Sequence, residues 1–196
     1  MQINIILAGV GGQGILTIAA VIDRAALNSG FTVRQAEVHG MSQRGGAVQS
    51  HLRISDREIY SDLIATGTAN LILSVEPLEA LRYLPFLAPE GRVVTATDPF
   101  INMEGYPAIE DILEELRRTH RPVPVNAAEL ARNAGSTRTS NMVMLGAASP
   151  FTGLAPEELE ESIGKLFHTK GPDIVAMNIR AFRKGLELSQ PQATST

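Results

Sequence analysis

Apolar residues are nearly continuous from Ile3 to Val10 and then, from Ile15, recur every third or fourth position. The first pattern reads as a buried strand; the second, through Ile18, Ala19, Ile22, Ala25 and Ala26, as a helix that Asn28-Ser29-Gly30 stops. Residues 32–38 predict a second strand and 40–46 a loop. Residues 48–54 alternate with period two, which suits a half-solvated antiparallel strand better than a buried parallel one. Ile59 and Tyr60 are expected to begin its hairpin partner, with Ser55-Asp56-Arg57 at the turn.

Residues 71–75 form a short run of buried-strand type. Pro77 then opens a helix expected to pass through Leu78, Leu81, Leu84 and Leu87, and Pro89-Glu90-Gly91 turns into a strand at 93–96. After a loop at 98–107, Ile109, Ile112, Leu113 and Leu116 mark an amphipathic helix, and Val123-Pro124-Val125 an edge strand. Four helices are expected at 126–134, 141–148, 157–168 and 173–188, their apolar stripes read as core packing. The whole predicts an α/β fold: a mainly parallel, doubly wound sheet with a small β-insertion and a C-terminal helical segment. One domain is expected over residues 1–188, followed by a mobile polar tail at 189–196.

Composition narrows the function. A net charge of −4 and few aromatic residues argue against nucleic acid as a partner. The chain has no cysteine, which excludes disulfides, thiolate nucleophiles and cysteine-ligated zinc or iron–sulfur clusters within it. His39, His51, His120 and His168 lack metal-ligand spacing. No apolar stretch reaches the roughly 18–20 residues of a membrane span, and the strand-like start has no signal-peptide character, so no membrane association and a cytoplasmic location are expected.

Three loops could carry chemistry. Gly9, Gly11 and Gly14 fit the G-x-G-x-x-G pattern between a strand and a helix. The pattern suits either a phosphate site at the helix N-terminus or a purely structural tight turn. In the loop 41–46, Arg44 precedes two glycines, and it is either a bidentate ligand for phosphate or carboxylate or a surface arginine on a sharp loop. Ser136-Thr137-Arg138-Thr139-Ser140-Asn141 is either a ligand-facing cluster or a helix cap, with Thr139 or Ser140 as N-cap. All three are expected at the carboxyl ends of parallel strands. Glu37 closes the second strand, as a ribose-binding acid or an ordinary strand-end carboxylate. No nucleophile–His–acid set, metal cluster or paired carboxylates emerge.

Gly9-Val-Gly-Gly-Gln-Gly14, Glu37-Val-His-Gly-Met-Ser-Gln-Arg-Gly-Gly46 and Ser140-Asn-Met-Val-Met-Leu-Gly146 together resemble the gamma domain of the pyruvate/2-oxoacid:ferredoxin oxidoreductases, over nearly the whole chain to residue 188. The similarity is strongest to the short separate chain of the indolepyruvate enzymes. It implies a subunit, inactive alone, of a complex that converts a 2-oxoacid and coenzyme A to acyl-CoA, CO2 and reduced ferredoxin. It implies that thiamine diphosphate, Mg2+ and [4Fe–4S] clusters sit in a large partner subunit, with ferredoxin reached through that complex. It also places the chain on the coenzyme A side of the site, through Gly9, Gly11, Gly12, Gln13, Gly14, Arg44, Ser140 and Asn141, with no catalytic residue of its own. Isolated from that partner, the chain is expected to be capable of pairing with a second copy through the same surface. The alternatives are a free-standing NAD(P)- or FAD-binding dehydrogenase, supported by the glycine pattern and Glu37, and a nucleotide-sensing module.

Overall fold

The computed structural model describes residues 1–39, 45–102, 104–119 and 122–189. Six strands form one sheet in the order β2-β3-β1-β4-β5-β6: β1 Gln2–Val10, β2 Thr32–His39, β3 Ala47–Ser55, β4 Ala69–Ser74, β5 Leu87–Ala96 and β6 Pro122–Val125. β4, β5 and β6 run parallel to β1, whereas β3 is antiparallel to both β1 and β2. Two reversals leave β2 pointing the same way as β1. The chain therefore leaves β1, β2, β4 and β5 at one edge, where open α/β sheets bind ligands.

Period-two alternation sends β1 side chains to both faces. Ile5 and Leu7 face a layer made of α1 (Ile15–Asn28) with α4 (Ala127–Ala134), α5 (Ser140–Ala148), α6 (Pro156–Phe167) and α7 (Pro172–Ser189). Ile6 and Ala8 face α2 (Pro77–Arg82) and α3 (Ile109–Thr119), which contribute Ala80, Ile112 and Leu116. The central strand is thus buried on both sides, as its continuous apolar run requires. α5 is apolar all round, and its residues from Asn141 to Ala148 are buried. Where it crosses α7 the contact is backbone to backbone: a Cβ on Gly146 would stand 1.9 Å from the Phe182 carbonyl oxygen, and one on Gly185 1.9 Å from that of Val143.

Four local expectations are corrected. Ile59 and Tyr60 form no strand; β3 already pairs on one side with β1 and on the other with β2, so no free edge remains for a hairpin partner. β3 is also less solvated than its alternation suggests. The 56–68 segment folds over its polar face: the buried His51 accepts the Ile64 N–H on Nδ1 at 3.0 Å, and Arg53 donates from Nη1 to the Ser61 carbonyl at 2.8 Å. The helix opened by Pro77 stops at Arg82, because Pro85 can neither donate a helical hydrogen bond nor clear the preceding turn, and Leu87 belongs to β5. Pro89-Glu90-Gly91 lies within β5, where the pairing with β4 shifts register between Ala69 and Leu71. A Cβ on Gly91 would lie 2.8 Å from the Ala69 carbonyl oxygen, so glycine is required at that crossing.

The α/β fold class is otherwise as the sequence predicts, with β6 at the edge and the helical segment at the C-terminus. Ser189, expected to begin the polar tail, closes α7; residues 190–196 lie outside the described residues.

One carboxylate in this framework is under strain. Asp23 on α1 has a buried Oδ1 with no hydrogen-bond partner, and burial first, then the nearby Glu37, raises its pKa from 3.8 to about 6. The folded state therefore holds a proton that the unfolded chain releases near pH 4. The charged form opposes folding increasingly as pH rises from 4 to 6, and fully above that. Asp23→Asn is expected to raise stability at pH 7.5 by about 1–2 kcal/mol after allowance for solvent screening, with the gain gone below pH 4. Denaturant melts of both proteins across that range measure it; an equal gain at every pH would exclude Asp23 ionisation as the cause.

Candidate functional site

Where β1 ends, Gly12 and Gly14 adopt φ of 100° and 83°, in the left-handed region that side-chain-bearing residues avoid. Gln13 closes the turn from within: its Oε1 accepts the Val10 N–H at 2.7 Å, and its own N–H donates to the Val10 carbonyl at 3.2 Å. Gly9 permits close packing, since a Cβ there would lie 2.4 Å from Cγ2 of Val75, just after β4. Gly14 caps α1 by backbone alone, its carbonyl accepting the Thr17 and Ile18 N–H groups. The α1 N-terminus therefore presents first-turn amides and the positive end of its dipole at this edge.

The expected partners of the turn fare differently. The Gly11 N–H donates to the Gly46 carbonyl at 2.9 Å, tying the turn to the start of β3 and leaving that amide unavailable to a ligand. Arg44 lies outside the described residues. The Ser136–Asn141 segment follows α4, not a strand, so it does not sit at a strand's carboxyl end. It reaches the turn because α5 lies across the sheet face. Asn141 donates from Nδ2 to the Gly14 carbonyl at 3.4 Å, and its Oδ1 accepts the Met142 N–H at 3.0 Å. Neither hydroxyl expected to cap α5 does so by side-chain acceptance. Thr139 precedes the helix but its hydroxyl donates to the Ser136 carbonyl, and Ser140 is the first helical residue. Glu37 is exposed and accepts from Gln35, as an ordinary strand-end carboxylate does.

Two cavities flank the turn and share Gly12 and Gly14. The smaller, about 400 Å³, also includes Gly11 and is walled by Val10, Ile15, Leu16 and Val48. The larger, about 800 Å³, opens between the turn, the α5 N-terminus and the start of α7. Of the predicted residues, Gly12, Gln13, Gly14 and Asn141 line this larger cleft, whereas Gly9, Gly11 and Ser140 do not. Two cations line it as well, Arg138 from the hydroxyl-rich segment and Lys170, which the sequence reading did not single out, and no acidic residue does. Arg138 stood inside the hydroxyl-rich loop and was legible there as a charge. Lys170 follows α6, and nothing local relates it to residue 12.

These features, a glycine turn feeding a helix N-terminus with an antiparallel strand inserted beside β1, set the chain apart from a simple dinucleotide fold. Residues 4–188 match the family model described as pyruvate ferredoxin/flavodoxin oxidoreductase, and the chain belongs to that family. Within it, the sequence is 40% identical over 194 residues to the indolepyruvate oxidoreductase subunit IorB of Archaeoglobus fulgidus, covering 94% of each chain. The fold resembles a 2-oxoglutarate:ferredoxin oxidoreductase from Magnetococcus marinus with 2-oxoglutarate, coenzyme A and succinyl-CoA bound (TM-score 0.77, 23% identity). It covers 96% of this chain and only 31% of that one. It also resembles the keto/oxoacid ferredoxin oxidoreductase gamma subunit of Geobacter sulfurreducens (TM-score 0.71, 24% identity, 95% and 98% covered). A free-standing dehydrogenase is not favoured by this membership. Among the described residues no helix is long and apolar enough to cross a membrane.

Proposed function

We propose that the chain is the small subunit, without a reaction centre of its own, of a 2-oxoacid:ferredoxin oxidoreductase whose substrate class is indolepyruvate or another aryl pyruvate. The observation that carries this reading is the 40% identity to an indolepyruvate oxidoreductase subunit across 94% of both chains. In such a complex the bond between C1 and C2 of the 2-oxoacid breaks and CO2 leaves. The acyl carbon joins the sulfur of coenzyme A; two electrons pass to two ferredoxins and one proton is released. Thiamine diphosphate, Mg2+ and [4Fe–4S] clusters belong to the large partner in this reading; cysteine ligands must come from another chain, since this one has none.

The chain's own contribution is to coenzyme A. Gly12, Gln13, Gly14 and Asn141 lie where a diphosphate would meet the α1 N-terminus, and an anion there gains from backbone donors and dipole alike. Gly9 and Gly11 shape that turn, Ser140 opens α5, and Arg44 is assigned to the same coenzyme on the strength of its arginine–glycine–glycine loop. Purified alone, the chain is expected to support no 2-oxoacid-dependent viologen reduction. Combined with its large partner it is expected to support reduction that requires coenzyme A. Robust reduction by the lone chain would overturn the assignment.

A further inference from the structure

Residues 97–102 follow β5 at the same sheet edge as the glycine turn, and neighbouring elements hold them in place. The Thr97 N–H donates to the Val125 carbonyl at 2.9 Å, and Asn102 donates from Nδ2 to the Gly45 carbonyl at 2.5 Å. Between them, the Phe100 N–H donates to Oε1 of Glu76 at 3.3 Å, and the Tyr106 hydroxyl donates to the same oxygen. The backbone is pinned, yet Phe100 is 42% exposed and Ile101 71%. Adjacent apolar side chains held out in water beside polar groups mark a contact surface. Next to them a cavity of about 210 Å³ opens on the α2 side of the sheet, its lining including Glu76, Glu79, Arg82, Phe100 and Tyr106. Glu76 is 1% exposed and Glu79 5%, whereas Arg82 keeps 55% of its side chain in water. Arg82 donates from Nε to Oε2 of Glu79 at 3.0 Å, and among the described residues no cation is paired with Glu76. Two buried carboxylates thus share one half-exposed guanidinium, and a buried charge without a full counter-charge is expensive. Burial accordingly raises the Glu79 pKa, and Arg82 lowers it without cancelling that rise.

We infer that Phe100, Ile101 and this cavity form a docking surface for a basic side chain flanked by apolar residues, carried on a segment of another chain. The flanking residues cover Phe100 and Ile101, while the arginine or lysine enters the cavity and meets Glu79 and Glu76. The aromatic rings of Phe100 and Tyr106 suit a cation as well. At about 210 Å³ the cavity falls short of the roughly 300–1,000 Å³ of small-molecule sites, and one long side chain fills it. A desolvated charged pocket beside apolar surface has the anatomy of an interface anchor. The pinned backbone helps, because little ordering entropy is lost on association. On the function proposed above, on which this occupant rests, the large partner subunit supplies the segment. A chain without a reaction centre has to turn its ligand edge toward one.

Calorimetric titration of the full chain into its large partner, at pH 8 and at low and high salt, tests this. Ile101→Asp is expected to weaken association about thirtyfold, the effect of losing a buried anchor. Glu79→Gln is expected to weaken it about tenfold at low salt and less at high salt, where the attraction between charges is already screened. Arg82→Gln, which removes the competing cation, is expected to tighten association by up to about fivefold, a sign that damage to the fold does not produce. Tyr60→Asp, at a 90% exposed position on the 56–68 segment, is the control and is expected to change nothing. In the viologen assay Ile101→Asp is expected to need about thirtyfold more chain for half-maximal reduction. A parent chain that never supports partner-dependent reduction overturns the subunit assignment, and this occupant with it. A working parent whose Ile101→Asp and Glu79→Gln variants associate as tightly overturns the docking surface alone. So does a lone chain that sediments as a dimer and is split by Ile101→Asp at unchanged partner affinity, since a second copy then holds the surface.

Discussion

Replacing Gly146 or Gly185 by alanine is expected to cost about 3 kcal/mol or more of folding stability, a large share of what a domain of this kind has. The direction is opposite to what helix propensity dictates. In an exposed helix interior, glycine to alanine stabilises by roughly 1 kcal/mol. Here the added methyl would stand 1.9 Å from a carbonyl oxygen of the facing helix, so α5 and α7 must separate by roughly 1 Å. That separation loosens Phe182, Val143 and Leu145, all fully buried. Gly164, in the middle of α6 with no atom within 4 Å of its would-be Cβ, provides the control. Gly164→Ala is expected to be neutral or stabilising by up to about 1 kcal/mol. Urea denaturation of the three variants reads both signs; a Gly146→Ala protein as stable as the parent would mean that the helices do not meet at these glycines.

Gly14→Ala is expected to leave a folded chain that assembles but uses coenzyme A poorly, with its KM raised roughly tenfold or more and the KM for the 2-oxoacid unchanged. Two costs meet at this position. The backbone has φ of 83°, strained for alanine by about 1 kcal/mol or more, and the new Cβ would lie 2.6 Å from Nδ2 of Asn141. Asn141 must swing away, which opens the junction between the α1 and α5 N-termini. Gly30 separates the two costs: its φ is 81° but its would-be Cβ meets nothing within 4 Å. Gly30→Ala should lose stability without touching either KM. If Gly14→Ala and Gly30→Ala behave alike in steady-state assays with the large partner, the turn has no part in coenzyme use.

The glycine turn was legible because a strand, four glycines and a helix are consecutive in the chain. Its chemistry is local: positive φ at Gly12 and Gly14 and the Gln13 bond to Val10 N–H all form within five residues. The C-terminal helices were legible for the same reason, through stripes such as Leu159 and Ile163, which repeat at the helical period and are indeed buried. The antiparallel character of residues 48–54 also followed from local alternation. Its two neighbours did not, because strand pairing joins residues such as Gln2 and Ser55 that only the folded sheet brings together.

By itself, then, the sequence determined most of the strand and helix segments, that a glycine turn joins the first strand to a helix, and that these residues include no cysteine. Those properties depend on side-chain period, allowed φ and residue type, all of which act within a few positions. The tertiary structure alone decided where β3 is inserted, that Gly11 is engaged by Gly46, and that α5 and α7 touch through Gly146 and Gly185. It also brought Arg138 and Lys170 into one cleft with Gly12. Each of these is a contact between groups far apart in the chain, set by how the helical layer packs across the sheet, and no local pattern encodes that distance.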